Sequence, residues 1–314
     1  MNNNHTISET EIDIKDLFLI IWKHKLVVIT ITLICAISSV IYAISLPNIY
    51  SSSAKLSPAS SSNQNNSIGS SFAQYTSLAS IAGVSLPSGT SGGSKLAIET
   101  MKSYSFLDHL VSNFSFIAPG LMASQDYDEL SKTIIYNSSV YNELDNTWVR
   151  DAPIGRKKEP SYIEIYDAYM STISIEENIT TGFITLTVKH ISPQFSYQLA
   201  SVIIQEINNV TKKKDVEDSR KAIKFLEKRL SQTNEAELRI KIGALIYSHL
   251  NTLMMADIKE NYILELIDPP YLAEERTSPS RSTICIIGTI LGALFASLLV
   301  ILYHYNFAKP SKNN

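Results

Sequence analysis

Two uncharged runs, LVVITITLICAISSVIYAISL from Leu26 to Leu46 and STICIIGTILGALFASLLVILY from Ser282 to Tyr303, decide how the rest of the chain is read. At about 1.5 Å of rise per residue, each makes a helix of roughly 30 Å, the thickness of a bilayer's hydrocarbon core. A helix buried in a soluble core is usually shorter and keeps some polar stripe, so a membrane span fits both runs better. A cleaved signal peptide fits the first run poorly, because the polar segment Met1 to Lys25 is long for an n-region and the run is long for an h-region. An uncleaved anchor is the better reading.

The runs also explain the composition. Of 314 residues, 45% are hydrophobic and only 18% charged, a low charged share for a soluble domain. A net charge of -3 excludes a strongly basic nucleic-acid binder. The two cysteines, Cys35 and Cys285, both fall inside the apolar runs, so the intervening sequence is no disulfide scaffold.

Charge bias sets the expected topology. Lys15, Lys23 and Lys25 precede the first run, and only Lys55 follows it closely. The positive-inside rule then puts the N-terminus in the cytoplasm, and a second span returns the C-terminus to the same side. Arg276 and Arg281 before the second run and Lys309 and Lys312 after it vote weakly. The expected organisation is a cytoplasmic segment 1–25, a span 26–46, an external domain 47–281, a span 282–303 and a cytoplasmic tail 304–314. The expected fold class is an α+β membrane protein: two transmembrane helices flanking an external α/β domain with a long projecting helical hairpin.

Inside that domain, Ser51 to Ser94 is rich in Ser, Gly and Asn and reads largely as a loop, with the more apolar Ser77 to Gly89 docking on the domain. Leu96 to Phe114 reads as one helix, and Ser161 as the N-cap of a short helix to about Ser171. Gln125 to Trp148 is ambiguous. Ile173 and Ile175, the turn ENITTG, and the alternating FITLTVKH read as a hairpin with one buried face. Ser192-Pro193 opens a long helix, 193–231, whose stripe of Leu199, Val202, Ile203, Ile207 and Val210 resumes at Ala222, Ile223, Leu226 and Leu230. No Gly or Pro interrupts Gln194 to Leu230, so it could reach about 55 Å. Its charged middle, Lys212 to Arg220, implies a helix that extends past its core and needs partners for its stripe, with Leu226 and Leu230 as candidate contacts. A second helix, 235–256, completes the hairpin. Tyr262 to Ile267 then reads as a strand, ended by Asp268-Pro269-Pro270, that returns to the sheet holding Tyr50 to Leu56. A free-standing coiled coil fits less well, because the heptads are few and irregular.

The sequence offers no catalytic, cofactor or metal site. His5, His24, His109, His190, His249 and His304 have no metal-ligand spacing and read as surface or packing residues. GTSGGSK, Gly89 to Lys95, lacks the phosphate-loop pattern and reads as a flexible loop. The hydrolase pattern G-x-S-x-G is absent. Glu176, Glu177, Asp126, Asp128 and Glu129 sit on polar segments and read as solvated charge. Lys212, Lys213 and Lys214 are offset by Asp215, Glu217 and Asp218, so an anionic-glycan site there is the weaker reading. Gly288 and Gly292 form a GxxxG in the second run that permits close helix approach, although the pattern is common in membrane helices.

The arrangement resembles the polysaccharide co-polymerases, the chain-length determinant proteins of the Wzz type. The resemblance rests on EIDIKDLFLIIWKHK (Glu11 to Lys25), on Tyr50, Ala54, Leu56 and Pro58, and on SLASIAGVSLP (Ser77 to Pro87) and SYSFLDHLV (Ser103 to Val111). It continues through AIKFLEKRL (Ala222 to Leu230), AELRIKIGALI (Ala236 to Ile246) and LMMADIKENYILELIDPP (Leu253 to Pro270). The entry to the second run is similar as well, with Pro269, Pro270, Pro279 and Arg281 ahead of Gly288 and Gly292. Ser280 stands where the family often has a basic residue directly after Ser-Pro. The chain ends at Asn314 without a fused tyrosine kinase or terminal tyrosine cluster, so the resemblance is to the short form.

That resemblance implies a non-enzymatic regulator in a bacterial inner membrane. It would assemble as a ring-like homo-oligomer and set the length of an O-antigen, lipopolysaccharide or exopolysaccharide built by a separate polymerase. The implied partners are further copies of the chain, the polymerase, the growing glycan and the lipid bilayer, with no nucleic acid and no cofactor. The alternatives are a structural or adaptor component of a glycan export complex and a membrane-anchored sensor.

Overall fold

The computed structural model describes residues 19, 22–59, 90–152 and 154–307, with side chains from 94 to 304 in the helices that open at Thr90 and close at Phe307. Residues 60–89 lie outside it, and with them the expected docking of Ser77 to Gly89. Two units divide the chain: Met1–Asn48 with Thr277–Asn314, and Ile49–Arg276.

In the first unit, α1 (Lys25–Ser45) packs against α8 (Arg281–Phe307). Both are long and apolar enough to cross a membrane. Apart from the stripe on which they meet, their side chains are mostly exposed: Leu33, Ile37 and Ile41 on α1, Ile290, Leu294 and Leu298 on α8. A helix apolar all round with one narrow buried seam suits lipid on its other faces.

The second unit is built on a four-stranded antiparallel sheet of order β6-β7-β1-β8, from β1 (Tyr50–Pro58), β6 (Ile173–Glu177), β7 (Ile184–His190) and β8 (Leu264–Asp268). The alternation read in FITLTVKH is realised. Ile184, Leu186 and Val188 are fully buried, and Thr185 and Lys189 are exposed. Ala54 pairs with Leu186 across β1 and β7, and the Ser53 and Thr187 hydroxyls meet at 3.0 Å on the other face. β8 pairs with β1 from Lys55 to Pro58, across an irregularity between Lys55 and Leu56.

The core lies on the Leu56–Ile184–Leu186–Val188 face. The first half of α6 (Pro193–Gln232) covers it with Phe195, Leu199, Ile203 and Ile207. Around this sit α2 (Thr90–Met101), α3 (Tyr104–Asn113), α4 (Ile117–Ala123) and α5 (Tyr162–Thr172). Burying each such Leu, Ile or Phe stabilises the unit by roughly 1.5–3 kcal/mol. Ser161 caps α5 with a complete capping box, accepting from Glu164 N while Glu164 accepts from Ser161 N at 2.7 Å.

Two expectations need correction. The Gly-rich Gly89 to Lys95 is not a loop throughout, because α2 starts at Thr90. Ser94, Ala97, Ile98 and Met101, at helical spacing, are all buried, and that packing outweighs the glycines' poor propensity. The single helix expected over Leu96 to Phe114 is two. Ser103 interrupts it, extended at φ -79 and ψ 150, and its hydroxyl accepts from Phe106 N to cap α3. The ambiguous Gln125 to Trp148 holds two small hairpins, β2 (Ser124–Asp128) with β3 (Thr133–Tyr136) and β4 (Tyr141–Asn142) with β5 (Thr147–Trp148). The second is stitched by Tyr141 against Trp148, with ring centroids 5.0 Å apart.

Candidate functional site

Two packing surfaces stand out among the described residues. Among the described residues no group of three or more His, Cys, Asp and Glu could hold a metal ion.

The first surface is the α1–α8 seam. A Cβ built on Gly288 would lie 2.5 Å from the Ser39 Cβ, and one on Gly292 2.5 Å from the Cys35 Cβ. Any side chain there would force the helices apart, so both glycines of the GxxxG lie where close approach uses them. Ala296 and Val300 continue the same buried stripe. Ahead of α8, the Ser278–Pro279 peptide is cis, and Arg281, the first residue of the helix, donates from Nη2 to the Asn48 side-chain carbonyl at 3.0 Å. Pro269 and Pro270 follow β8 directly and end it, since neither can donate a ladder hydrogen bond.

The second surface is the long hairpin of α6 with α7 (Ala236–Ile258). Its root is fixed at both ends of the core-facing half of α6. At the start, Ser192 accepts from Phe195 N to cap the helix, with Pro193 in the first turn. The Phe195 ring lies so close to Gly120 that a Cβ there would sit 2.0 Å from its Cε2. His190 completes this seat: Nδ1 accepts from Ser192 N at 3.1 Å, and Nε2 donates to the Gly120 carbonyl at 3.0 Å. Both ring nitrogens are therefore used by the neutral imidazole. Burial pushes its pKa down to about 4, only partly opposed by the hydrogen bond to the Gly120 carbonyl.

At the other end of this half, Asn208 is 4% exposed and makes four hydrogen bonds. Its amide donates to the Ile204 and Leu264 carbonyls at 3.0 and 3.1 Å, and its carbonyl accepts from Ile263 N and Leu264 N at 2.8 and 3.0 Å. Asn208 thus supplies the edge strand β8 with a partner that no neighbouring strand provides.

Past Asn208 only Ser219 of α6 is fully buried, and α6 and α7 run alongside each other. Tyr262 donates to the Asp215 carboxylate at 2.9 Å, and His249 Nδ1 lies 3.4 Å from the Ser219 hydroxyl. Arg239 donates from Nη1 to the Leu230 and Thr233 carbonyls, closing the C-terminus of α6. Leu226 and Leu230 are half-buried. Around them Phe225 is 57% exposed, Ile240 67% and Tyr247 69%.

Several of these groups are hidden in the sequence. For Asn208 the one visible signal is a polar residue next to Ile207 in an apolar stripe. His190 carries no more signal than the other histidines, because only Ser192 is local and its other partner, Gly120, lies 70 residues away. Glu164 also went unnoticed as a hub. The Arg150 guanidinium beside it holds its carboxyl down to about 2, helped by Ser161 N–H and Arg156. The structure also brings His24 and His304 together, ring centroids 6.3 Å apart, a pairing hidden by 280 residues of separation.

His190 carries a pH prediction. A histidine whose pKa is lower folded than unfolded leaves stability intact above its ordinary value near 6.5, and stability is lost as pH falls from there through about 4. The loss should reach about 3 kcal/mol by the bottom of that window. Urea unfolding of the wild type and of His190→Gln between pH 7 and 4 should separate, with the flatter profile in the variant. Parallel profiles would remove this role from His190.

Residues 10–114 match the family model described as Wzz, chain length determinant protein. The match agrees with the resemblance carried by the segments at Glu11 to Lys25, Ser77 to Pro87 and Ser103 to Val111. The structure is similar to a full-length bacterial polysaccharide co-polymerase at 13% identity, covering 96% of this chain and 100% of that one, with a TM-score of 0.41. It is also similar to a fragment of WzzB, a polysaccharide co-polymerase from Salmonella Typhimurium, at 15% identity, 74% and 100% coverage, and a TM-score of 0.30. No curated protein sequence matches the chain.

Proposed function

We propose that this chain regulates the length of a surface polysaccharide as an oligomeric, non-catalytic scaffold for a separate polymerase. The carrying observation is the chain-length determinant match over residues 10–114. The two apolar helices near the chain's ends, which bracket the α/β unit, support the same reading. In this reading α1 and α8 span the bacterial inner membrane, both termini are cytoplasmic and residues 47–281 are periplasmic. Gly288 and Gly292 hold the spans together, and Pro269, Pro270, Pro279 and Arg281 set the entry to the second span.

Self-association follows from the hairpin. Phe225, Ile240, Tyr247, Leu250 and Met254 stay exposed along the α6–α7 hairpin. Neighbouring copies would cover it, with Leu226 and Leu230 at the contact. A scaffold of this kind changes how long a polymerase keeps its growing glycan without doing chemistry on it.

Deleting the chain should therefore leave polymer present but convert a clustered ladder on a glycan gel into a random, mostly short one. The Leu226→Lys/Leu230→Lys variant should shift the ladder the same way and reduce cross-linked oligomer, because charge would enter an apolar contact. Far-UV circular dichroism must stay unchanged, and Ile240→Lys, at an exposed position, provides a second variant. Complete loss of polymer would point to an essential export role. An unaltered ladder would sink chain-length control.

A further inference from the structure

A groove of about 430 Å3 opens between α1 and α8 at the end of the pair that holds the start of α1, lined by His24, Val27, Ile31, Leu299, Val300 and Tyr303. Val27, Ile31, Leu299 and Val300 line it with aliphatic surface, with the polar side chains of His24 and Tyr303 at its rim, and the His24 ring meets that of His304. Lys23 and Lys25 are exposed beside that rim, with the Lys25 ammonium 5.5 Å from the Trp22 ring centroid. Between Asp16 and Glu99, and again after Glu275, the sequence has no Asp or Glu.

An apolar trough with a cationic, hydrogen-bonding mouth matches an amphiphile with a hydrocarbon chain and an anionic head. We propose that this groove is a binding site for an anionic phospholipid of the surrounding bilayer, one acyl chain lying along Val27, Ile31 and Leu299 and the phosphate meeting Lys23, Lys25 and the His24 rim. The proposal goes beyond chain-length control and rests only on the reading of α1 and α8 as spans. Depth fits as well. Trp22 is 61% exposed at the start of the apolar run, where an aromatic ring sits at the headgroup level. A single basic residue near such a surface attracts anionic lipid weakly, but paired lysines beside a groove convert that attraction into a preference for one place.

Trp22 reports on the site directly, because the chain has only one other tryptophan, Trp148. The full chain with Trp148→Phe is reconstituted into vesicles containing brominated phosphatidylglycerol or brominated phosphatidylcholine, and quenching of Trp22 is measured. Phosphatidylglycerol should be preferred roughly tenfold at low salt. The preference should vanish in Lys23→Gln/Lys25→Gln. It should also vanish in Val27→Phe/Leu299→Phe, which fills the groove at two exposed positions without adding polarity.

Equal quenching by both lipids in the unmodified groove would overturn the proposal. So would a preference that disappears with the lysines but survives filling, since that describes a diffuse lipid annulus. Displacement of phosphatidylglycerol by a stoichiometric polyprenyl phosphate would overturn it too, by assigning the groove to a different phosphate lipid. Alkaline carbonate treatment of the vesicles separates the two layers of inference. Release of the chain would remove the spans and the site with them, whereas a retained chain without lipid preference removes the site alone.

Discussion

Replacing the buried Asn208 with leucine should destabilise the Ile49–Arg276 unit by roughly 3–5 kcal/mol. The leucine is close in size, so the cost is not a cavity. It comes from Ile263 N and Leu264 N, which lose their acceptor, and from the Leu264 carbonyl, which loses a donor. Each buried group left unmatched costs about 1–3 kcal/mol. Asn208→Asp tests the geometry more finely. It keeps the acceptor for the two backbone N–H groups but loses the donor to Ile204 and Leu264, and it should retain part of the stability near neutral pH. Denaturant unfolding followed by circular dichroism measures both. A leucine variant within 1 kcal/mol of wild type, by the scale of ordinary surface changes, would mean that water satisfies β8 just as well.

Gly288→Leu/Gly292→Leu should open the α1–α8 pair and alter the length distribution while leaving membrane level and insertion intact. The double variant stays apolar, so insertion is unaffected. Each added Cβ would nevertheless sit 2.5 Å from the Cβ of Ser39 or Cys35. Helix axes packed through small residues lie near the close end of the usual 8–10 Å range, and larger side chains move them toward the far end, a shift of about 2 Å. Spin labels at Leu26 and Leu302 would read that separation by pulsed resonance. Unchanged separation and an unchanged glycan ladder would return the GxxxG to coincidence.

What was legible in the sequence was local. The Ser161 cap carries its own partner three residues on, Ser192-Pro193 marks its own helix start, and the Ile184–Leu186–Val188 alternation declares a half-buried strand without reference to anything distant. The return of Tyr262 to Ile267 to the strand at Tyr50 was readable because few other edges were on offer. The Thr90–Met101 helix was not, since its glycines argue against helix and only burial of Ala97, Ile98 and Met101 overrules them. The interruption at Ser103 was hidden for the opposite reason: the apolar spacing runs through it. Asn208 and His190 each reach a distant backbone, Asn208 that of Ile263 and Leu264 and His190 that of Gly120, so no periodicity in their own segments announces what they do. Nor does spacing reveal that Gly288 and Gly292 face Ser39 and Cys35.

The position of β1 has a consequence for how the molecule is made. It is the first strand to leave the ribosome, yet it sits in the middle of the sheet, between partners that begin at Ile184 and Leu264. At 5–20 residues per second, the roughly 200 residues that separate it from β8 take about 10–40 s to synthesise. For that time one or both of its edges lack the strands that will occupy them, and loop closure must wait for sequence not yet made. High contact order therefore makes assembly of this unit slow and nearly all-or-none. The last strand and the apolar helix that follows it are only about a dozen residues apart, so the sheet is completed as that helix is being made.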